Sequence, residues 1–161
     1  MIYIHDNPRR PFIAAIRHMS FFWFPPAHVW EYLTRPELME LWLMKNDFQP
    51  KVGHQFQFRT NPLPKMDFDG IAYCTVMEIV PFERLCYSWK GGPGNGQITL
   101  DSVVEWQLVP KDGGTELQLK HSGFKESGNI FMFTAMNDGW LKNMHKIGDL
   151  LNNIRNGAGT V

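Results

Sequence analysis

The chain has 161 residues, with 16 Lys and Arg balanced by 16 Asp and Glu, and 43% of its residues are hydrophobic. This length predicts one domain over residues 1–161, with its core from about 12 to 154, and leaves too little chain for a second core. The zero net charge and the lack of any basic block argue against a nucleic-acid partner. No apolar run approaches the roughly 18 residues that span a bilayer, so no membrane span is predicted.

The cysteines and the first ten residues indicate the cellular compartment of the protein. Cys74 and Cys86 are the only cysteines, too few for a disulfide framework or a four-ligand zinc site. The first ten residues lack the apolar stretch of a secretory signal. Arg9 and Arg10 precede an apolar run, but Arg17 interrupts it, which disfavours a twin-arginine export signal. We therefore expect a cytoplasmic protein with reduced thiols.

The first predicted elements are one strand and two short helices. The apolar and β-branched run from Phe12 to Phe24 predicts a long strand that ends at Pro25-Pro26. Pro26 suits a first helical turn because its missing N–H is not needed there. The apolar faces of the two predicted helices, at helical spacing, are Val29, Trp30 and Leu33 in the first and Leu38, Leu41 and Trp42 in the second.

From Lys51 the apolar residues alternate, which predicts strands. In Gln55–Arg59 the alternation places Phe56 and Phe58 on one face. In the next strand the alternation gives one inner face, made of Ile71, Tyr73, Thr75, Met77 and Ile79.

A hairpin follows, and its register assigns the facing residues. Pairing Val80 with Arg84 places Met77 opposite Tyr87, and the same register places Thr75 opposite Trp89, all on the inner face. It also places Cys86 opposite Glu78, about 13 Å from Cys74, too far for a disulfide. Both cysteines are expected on the outer face.

A second hairpin is predicted after the glycine-rich loop Gly91–Gly96. The inner face of its first strand is Ile98, Leu100, Ser102, Val104, Trp106 and Leu108. Pairing Pro110 with Thr115 across the turn places Val104 opposite His121, so His121 is predicted to face inward. The residues from Ser122 to Ile130 are predicted to form a loop.

The last predicted element is an amphipathic helix of about six turns from Phe133 to Ile154. Its apolar residues recur at steps of three and four: Phe133, Met136, Trp140, Met144, Ile147, Leu151 and Ile154. The small and polar tail from Asn156 to Val161 is expected to fray.

Four blocks in this order resemble the activator of heat-shock protein 90 ATPase-like family, a member of the START-like and pollen-allergen-like helix-grip (SRPBCC) superfamily. The resemblance covers roughly residues 12–154. The blocks are Pro26-x-x-Val29-Trp30-x-x-Leu33-Thr34-x-Pro36-Glu37, Glu78-x-x-Pro81-x-x-Arg84-Leu85-x-Tyr87-x-Trp89, Gly114-Thr115-x-Leu117-x-Leu119-x-His121-Ser122-Gly123-Phe124 and Gly139-Trp140.

The resemblance implies an α+β helix-grip fold, in which a curved antiparallel sheet wraps around a long C-terminal helix and two short helices follow the first strand. It also implies an apolar cavity between sheet and helix. The periodicities require an apolar sheet face to meet an apolar helix stripe, and they leave open whether the space between is filled or hollow. Family members often have paired tryptophans where this chain has Leu41-Trp42-Leu43, so one wall of the cavity is expected to differ.

No metal, cofactor or catalytic residue is predicted. The six histidines form neither a His-Glu-x-x-His nor a His-x-His pair. The Gly91–Gly96 loop lacks the Gly-Lys-Ser/Thr ending of a phosphate loop and precedes a strand, so we interpret it as a flexible hairpin loop. Cys74 and Cys86 have no histidine assigned near them, which disfavours a nucleophilic role.

His121 has two interpretations. Strand alternation turns it inward near Tyr73, Tyr87 and Trp106, where a shifted pKa would support acid–base chemistry. The favoured alternative is a hydrogen-bonded core histidine, because no orienting carboxylate is predicted on that face.

Aromatic residues and methionines dominate the predicted inner face. As core they need no function, and as pocket lining they would provide adaptable apolar walls. Ser102 and Thr75 would either orient a ligand's polar group or bond to neighbouring backbone. The candidate ligand-binding residues are Trp42, Phe56, Phe58, Tyr73, Thr75, Met77, Tyr87, Trp89, Ser102, Trp106, His121, Phe133, Met136 and Trp140.

Three functional hypotheses result. The favoured one is a non-catalytic protein that holds a small apolar or lipid-like ligand, oriented by Tyr73, Tyr87, His121 and Ser102. The second, a co-chaperone that stimulates the heat-shock protein 90 ATPase, depends on the resemblance alone. The third is a cyclase or hydrolase using His121 and a tyrosine, disfavoured because no nucleophile–base–orienter set is present. Mixed surface charge permits a monomer or a homodimer.

Overall fold

The computed structural model describes residues 2–4, 13–125 and 128–157, and it describes side chains for residues 15–125 and 128–154. The strands are β1 (Ile2–Ile4), β2 (Ile13–Phe22), β3 (Lys45–Asn46), β4 (Gln55–Arg59), β5 (Ile71–Val80), β6 (Arg84–Gly91), β7 (Leu100–Lys111) and β8 (Gly114–Lys125). The helices are α1 (Pro26–Thr34), α2 (Pro36–Trp42) and α3 (Ile130–Gly157), and a 3-10 turn spans Pro64–Met66. Phe12 and the end of the predicted tail, 158–161, lie outside the described residues.

Within these residues the eight strands form one antiparallel sheet in the order β1-β2-β8-β7-β6-β5-β4-β3. The first long strand, β2, pairs with the last strand, β8, and α3 then returns across the inner face of the sheet. Trp140 of α3 contacts Trp89 and Trp106 there, with ring centroids 5.7 and 5.6 Å apart. The predicted α+β fold is confirmed. Along the chain, the two short helices follow β2 and precede β3.

Proline sets the boundary between the two short helices. Each helix has a proline in its first turn, and α1 ends just before Arg35, the residue that precedes Pro36, where helical backbone is disfavoured. In α2 the buried residues are Met39 and Trp42, whereas Leu41 is 56% exposed. The prediction that Leu41 lies on the buried face is wrong, because the Trp42 indole, bonded to Tyr32 O at 2.8 Å, fixes the helix with its Met39 side inward.

Most of β5 presents the opposite face from the predicted one. Its fully buried residues are Ala72, Cys74 and Val76, whereas Tyr73 is 42% and Met77 50% exposed. The prediction that Tyr73, Thr75 and Met77 face the interior is therefore wrong.

A β-bulge causes this reversal. The β5–β6 hairpin begins as predicted, with Val80 opposite Arg84, but its register shifts between Val76 and Glu78. Val76, instead of Met77, thus pairs with Tyr87. One extra residue in a strand turns every side chain beyond it to the other face.

The bulge also relocates one cysteine. Cys74 pairs with Phe56 and is buried on the inner face, which corrects its predicted outward position. Cys86 lies on the outer face opposite Glu78, as predicted, and is also buried. Both are free thiols, and burial raises the pKa of both, most strongly that of Cys74.

The second hairpin has the predicted register, with Pro110 opposite Thr115 and Val104 opposite His121. Its ends differ from the prediction. Ile98 precedes β7 and is 48% exposed. β8 continues to Lys125, inside the predicted loop, because it keeps pairing with β2 up to Ile13.

Helix α3 starts three residues before the predicted Phe133, since Asn129 caps its first turn. The apolar stripe is buried from Trp140 to Leu151. Ile154 is 57% exposed, because no described element covers that last turn.

Candidate functional site

Aromatic side chains fill the middle of the interface between sheet and helix. Trp106 packs edge-on against Trp42 at 5.8 Å and against Trp140 at 5.6 Å. Phe58 contacts Tyr87 at 6.0 Å and stacks on Trp89 at 5.2 Å. Buried side chains in such edge-to-face and offset contacts leave little void. The centre of the interface is therefore packed core, and any ligand site lies away from it.

The polar atoms of this core are already paired. Trp42 Nε1 donates to Tyr32 O at 2.8 Å, and Trp106 Nε1 donates to the Tyr87 hydroxyl at 3.0 Å. Burial raises the pKa of Tyr87, so its hydroxyl stays protonated. We conclude that Tyr87 holds Trp106 in place in this structure.

His121 lies in a buried chain of hydrogen bonds with a defined direction. Trp140 Nε1 donates to His121 Nδ1 at 2.9 Å, because an indole N–H can only donate. The neutral ring therefore carries its proton on Nε2, which lies 2.8 Å from Ser102 Oγ and donates to it. The Ser102 hydroxyl in turn donates to Trp89 O at 2.7 Å. The serine proton thus points at a carbonyl and away from the histidine.

This direction decides what the pair can do chemically. A histidine that activates a serine must accept the hydroxyl proton, whereas His121 donates to it. Burial lowers the pKa of His121 to about 3, so the ring is neutral at pH 7 and has no free lone pair. The arrangement matches the hydrogen-bonded core histidine and gives no nucleophile–base pair.

A cavity of about 260 Å³ lies at one end of the interface, where β4 and β6 end, β7 begins and α3 starts. We call it the end cavity. Its floor contains Trp89 and Trp140. Its lining residues are Leu43, Met44, Thr60, Leu63, Met66, Asp67, Phe68, Trp89, Gly91, Thr99, Leu100, Met132, Ala135, Met136, Gly139, Trp140 and Asn143.

The end cavity is apolar and rich in methionine. Met44 follows α2, Met66 lies in the 3-10 turn, and Met132 and Met136 lie on α3. Unbranched thioether side chains adapt to irregular shapes and contact aromatic rings favourably. The polar lining residues are few. They are Thr60, Asp67, Thr99 and Asn143.

Three of the predicted pocket residues, Trp89, Met136 and Trp140, line the end cavity. The others lie elsewhere. Those in the packed core or its hydrogen-bonded network are Trp42, Phe56, Phe58, Tyr87, Ser102, Trp106, His121 and Phe133, the last beside Phe124 at 4.9 Å. Those on the outer side of β5 are Tyr73, Thr75 and Met77.

Sequence patterns missed the wall made by Leu63, Met66 and Phe68. These residues lie in an irregular connection around the 3-10 turn, where no period of two or 3.6 residues marks an inner face. The available signal was the presence of three apolar residues in a segment that also contains prolines, aspartates and a glycine.

Two classes of feature are not found in the described part of the chain. No three His, Cys, Asp or Glu side chains converge there as metal ligands. No helix within the described ranges is both long and apolar enough to span a bilayer.

Comparison with known proteins gives a match over most of the chain. The family described as Activator of Hsp90 ATPase homolog 1-like protein matches residues 24–152. A search of curated proteins gives no match.

Solved structures share the architecture. Protein MLL2253 from Mesorhizobium loti is 32% identical, with 86% of this chain and 97% of that chain covered and a TM-score of 0.75. The Aha1 dimer from Colwellia psychrerythraea is 20% identical, with 84% and 93% covered and a TM-score of 0.68. Protein BH1534 from Bacillus halodurans is 22% identical, with 84% and 94% covered and a TM-score of 0.66. The last two similarities concern the fold alone.

Proposed function

This chain belongs to the family described as Activator of Hsp90 ATPase homolog 1-like, and we propose that it is a non-catalytic protein that binds a small apolar ligand in the end cavity. The observation that carries the proposal is the cavity itself, an apolar space of about 260 Å³ beside an otherwise packed core. Apolar walls with a few polar groups are typical of small-molecule sites.

The size of the end cavity restricts the ligand. Ligand pockets commonly have volumes of about 300–1,000 Å³, and this one is slightly smaller. A long acyl chain would not fit entirely inside it, so we expect the part of the ligand that it encloses to be compact. This refines the lipid-like ligand expected from the sequence. Trp89 and Trp140 would provide aromatic contacts, and the methionines would adapt to its outline.

The polar atoms near the end cavity support binding without catalysis. Trp140 and His121 use their ring nitrogens in the buried network, and no histidine is among the residues that line the cavity. The buried, free thiols of Cys74 and Cys86 suit a cytoplasmic location, which is part of the proposal.

Filling the end cavity tests the proposal. Gly139 lines it, and a Cβ at this position would meet no atom within 4 Å. We expect Gly139→Leu to fold, because leucine favours a helix more than glycine does, and to weaken binding of N-phenyl-1-naphthylamine, a neutral fluorescent probe, at least tenfold.

The matched control is Thr134→Leu, which adds the same side chain to the exposed face of α3 and should leave probe affinity unchanged. Native mass spectrometry of the gently purified protein would identify any retained natural ligand. Equal probe affinity in wild type and Gly139→Leu would refute the site.

A second candidate function comes from the family match, which covers residues 24–152 and bears the name of an ATPase activator. In this alternative the protein binds the heat-shock protein 90 chaperone and raises its ATP turnover. A steady-state ATPase assay with purified chaperone decides it, and unchanged turnover at saturating protein would remove this candidate.

A further inference from the structure

One wall of the end cavity is a short connection between β4 and β5, the segment Thr60–Gly70. Leu63, Met66 and Phe68 of this segment contribute apolar lining, and the 3-10 turn lies at its tip. Removing this segment from its place would open the cavity on that side, because these three side chains would leave together.

The base of the segment is tied to the sheet by backbone hydrogen bonds. Thr60 N donates to Gly70 O at 2.8 Å, and Asp69 N donates to Gly92 O at 2.8 Å. Gly70 has a φ of 97° and its Cα faces Thr60 O so closely that a Cβ would lie 2.3 Å from it. Both ends of the segment are therefore held to the sheet, and movement of the segment would occur at its tip.

The tip is held differently from the base. Residues 61–65 are all exposed, so little apolar burial keeps them in place. Met66 and Phe68 pack against the core, and Asn129 adds hydrogen bonds from α3, since its Nδ2 donates to Lys65 O at 3.0 Å and to Asp67 Oδ2 at 2.8 Å. One side-chain amide thus joins the exposed tip to the start of α3 by hydrogen bonds.

Asn129 also caps α3. Its Oδ1 accepts a hydrogen bond from Met132 N at 3.0 Å, and its carbonyl accepts one from Phe133 N at 3.1 Å. Met132 itself lines the end cavity. The Asn129 side chain therefore orders the first turn of α3 and also bonds that turn to the Thr60–Gly70 segment, which forms the opposite wall of the end cavity.

We propose, on the basis of the proposed function, that Thr60–Gly70 is a lid that opens to admit the ligand and that Asn129 is the latch that keeps it closed. The two oxygens that accept from Nδ2 both belong to the lid, whereas the oxygens of Asn129 serve the helix. Losing the donor alone would therefore make the lid open more often and leave the cap intact.

The substitution Asn129→Asp removes the donor to the lid without removing the helix cap. The aspartate keeps an oxygen for Met132 N, as a good N-cap residue, but it has no donor and places a second carboxylate beside Asp67. We expect hydrogen exchange of the bonded lid amides of Leu63, Met66 and Phe68 to become about tenfold faster, because the loss of the two hydrogen bonds from Asn129 lets the lid open, while residues 140–151 of α3 keep their wild-type exchange. Asn129→Ser, which also caps without donating to the lid, should show the same change without the charge.

The ligand-linked measurement is stopped-flow mixing with N-phenyl-1-naphthylamine. Both association and dissociation rate constants should rise about tenfold in Asn129→Asp, with the equilibrium affinity changed by less than about threefold. Asn152→Asp, the same substitution on the exposed face of α3, should match wild type in both experiments.

The outcomes separate the two proposals. Unchanged hydrogen exchange of the lid amides in both Asn129 variants would overturn the latch, whatever the rate constants of the probe. Faster exchange with unchanged association and dissociation rate constants of the probe would overturn the lid as the ligand's route. Failure of wild type to bind the probe would count against the proposed function, and the exchange measurement would then decide the latch alone.

Discussion

At the scale of single residues, His121 is a buried histidine surrounded by groups that carry no charge. Its ring contacts Trp89, Phe124 and Trp140, and it is bonded to Ser102. Strand alternation predicted its inward direction correctly. The partner on α3 was not predictable, because the rotation of a helix over a sheet is set by packing of the whole interface.

The lowered pKa of His121 predicts a pH-dependent stability. The ring has a pKa of about 3 when folded against an ordinary value of 6.5, so below pH 6.5 the unfolded chain binds a proton that the folded protein does not. Stability should therefore fall as pH decreases from 6.5 toward 3, by up to about 1.4 kcal/mol per pH unit from this group.

Urea unfolding of wild type and His121→Gln between pH 4 and 8 isolates this contribution, since all other titrating groups are shared. We expect the variant to be less stable at pH 8 and to lose less stability on acidification. Parallel pH profiles would contradict the assignment.

At the scale of elements, β5 shows how one inserted residue overrides a correct pattern. Hairpin pairing predicted the contacts from Val80 to Glu78, and these are confirmed. Beyond the bulge the same alternation was wrong, because small and aliphatic residues such as Ala72 and Val76 fit the inside as well as Tyr73 or Met77 would. Period alone cannot locate a bulge when both faces of a strand carry apolar residues.

Serine substitutions test this register. Val76→Ser should cost about 2 kcal/mol or more of unfolding free energy, because it removes buried methyl groups and buries a hydroxyl. Met77→Ser should change the unfolding free energy by about 0.5 kcal/mol or less, since Met77 is half exposed. Urea unfolding measures both, and the reverse ranking would restore the register predicted from the sequence.

At the scale of the whole molecule, α3 completes the core by covering the inner face of the sheet. Met144 and Ile147 of this helix are fully buried against the sheet. Gly148 lies so close to Phe22 of β2 that an added Cβ would come within 3.1 Å of the ring. The same helix leaves the end cavity open beside Gly139, where the side chain is missing. Packing and cavity are thus consequences of one helix position.

Alanine substitutions along α3 should reflect this arrangement. Met144→Ala should destabilise the protein by about 2–5 kcal/mol, because it leaves a cavity in the packed core. Ile154→Ala, in the same helix but at an exposed side chain, should cost about 0.5 kcal/mol or less. Thermal and urea unfolding check the difference, and similar losses would show that the helix ends are packed otherwise.

The sequence by itself determined the order of the α-helices and the longer strands, two hairpin registers at their turns, the inward direction of His121 and the family. These depend on local periodicity and on turn residues, which short stretches of chain encode. Only the tertiary structure decided which aromatic residues fill the core, which face of β5 is buried, and where space remains. Those properties depend on how volumes from distant segments fit together. One wall of the end cavity comes from an irregular segment that packs on the core and is bonded to Asn129, more than 60 residues further along the chain.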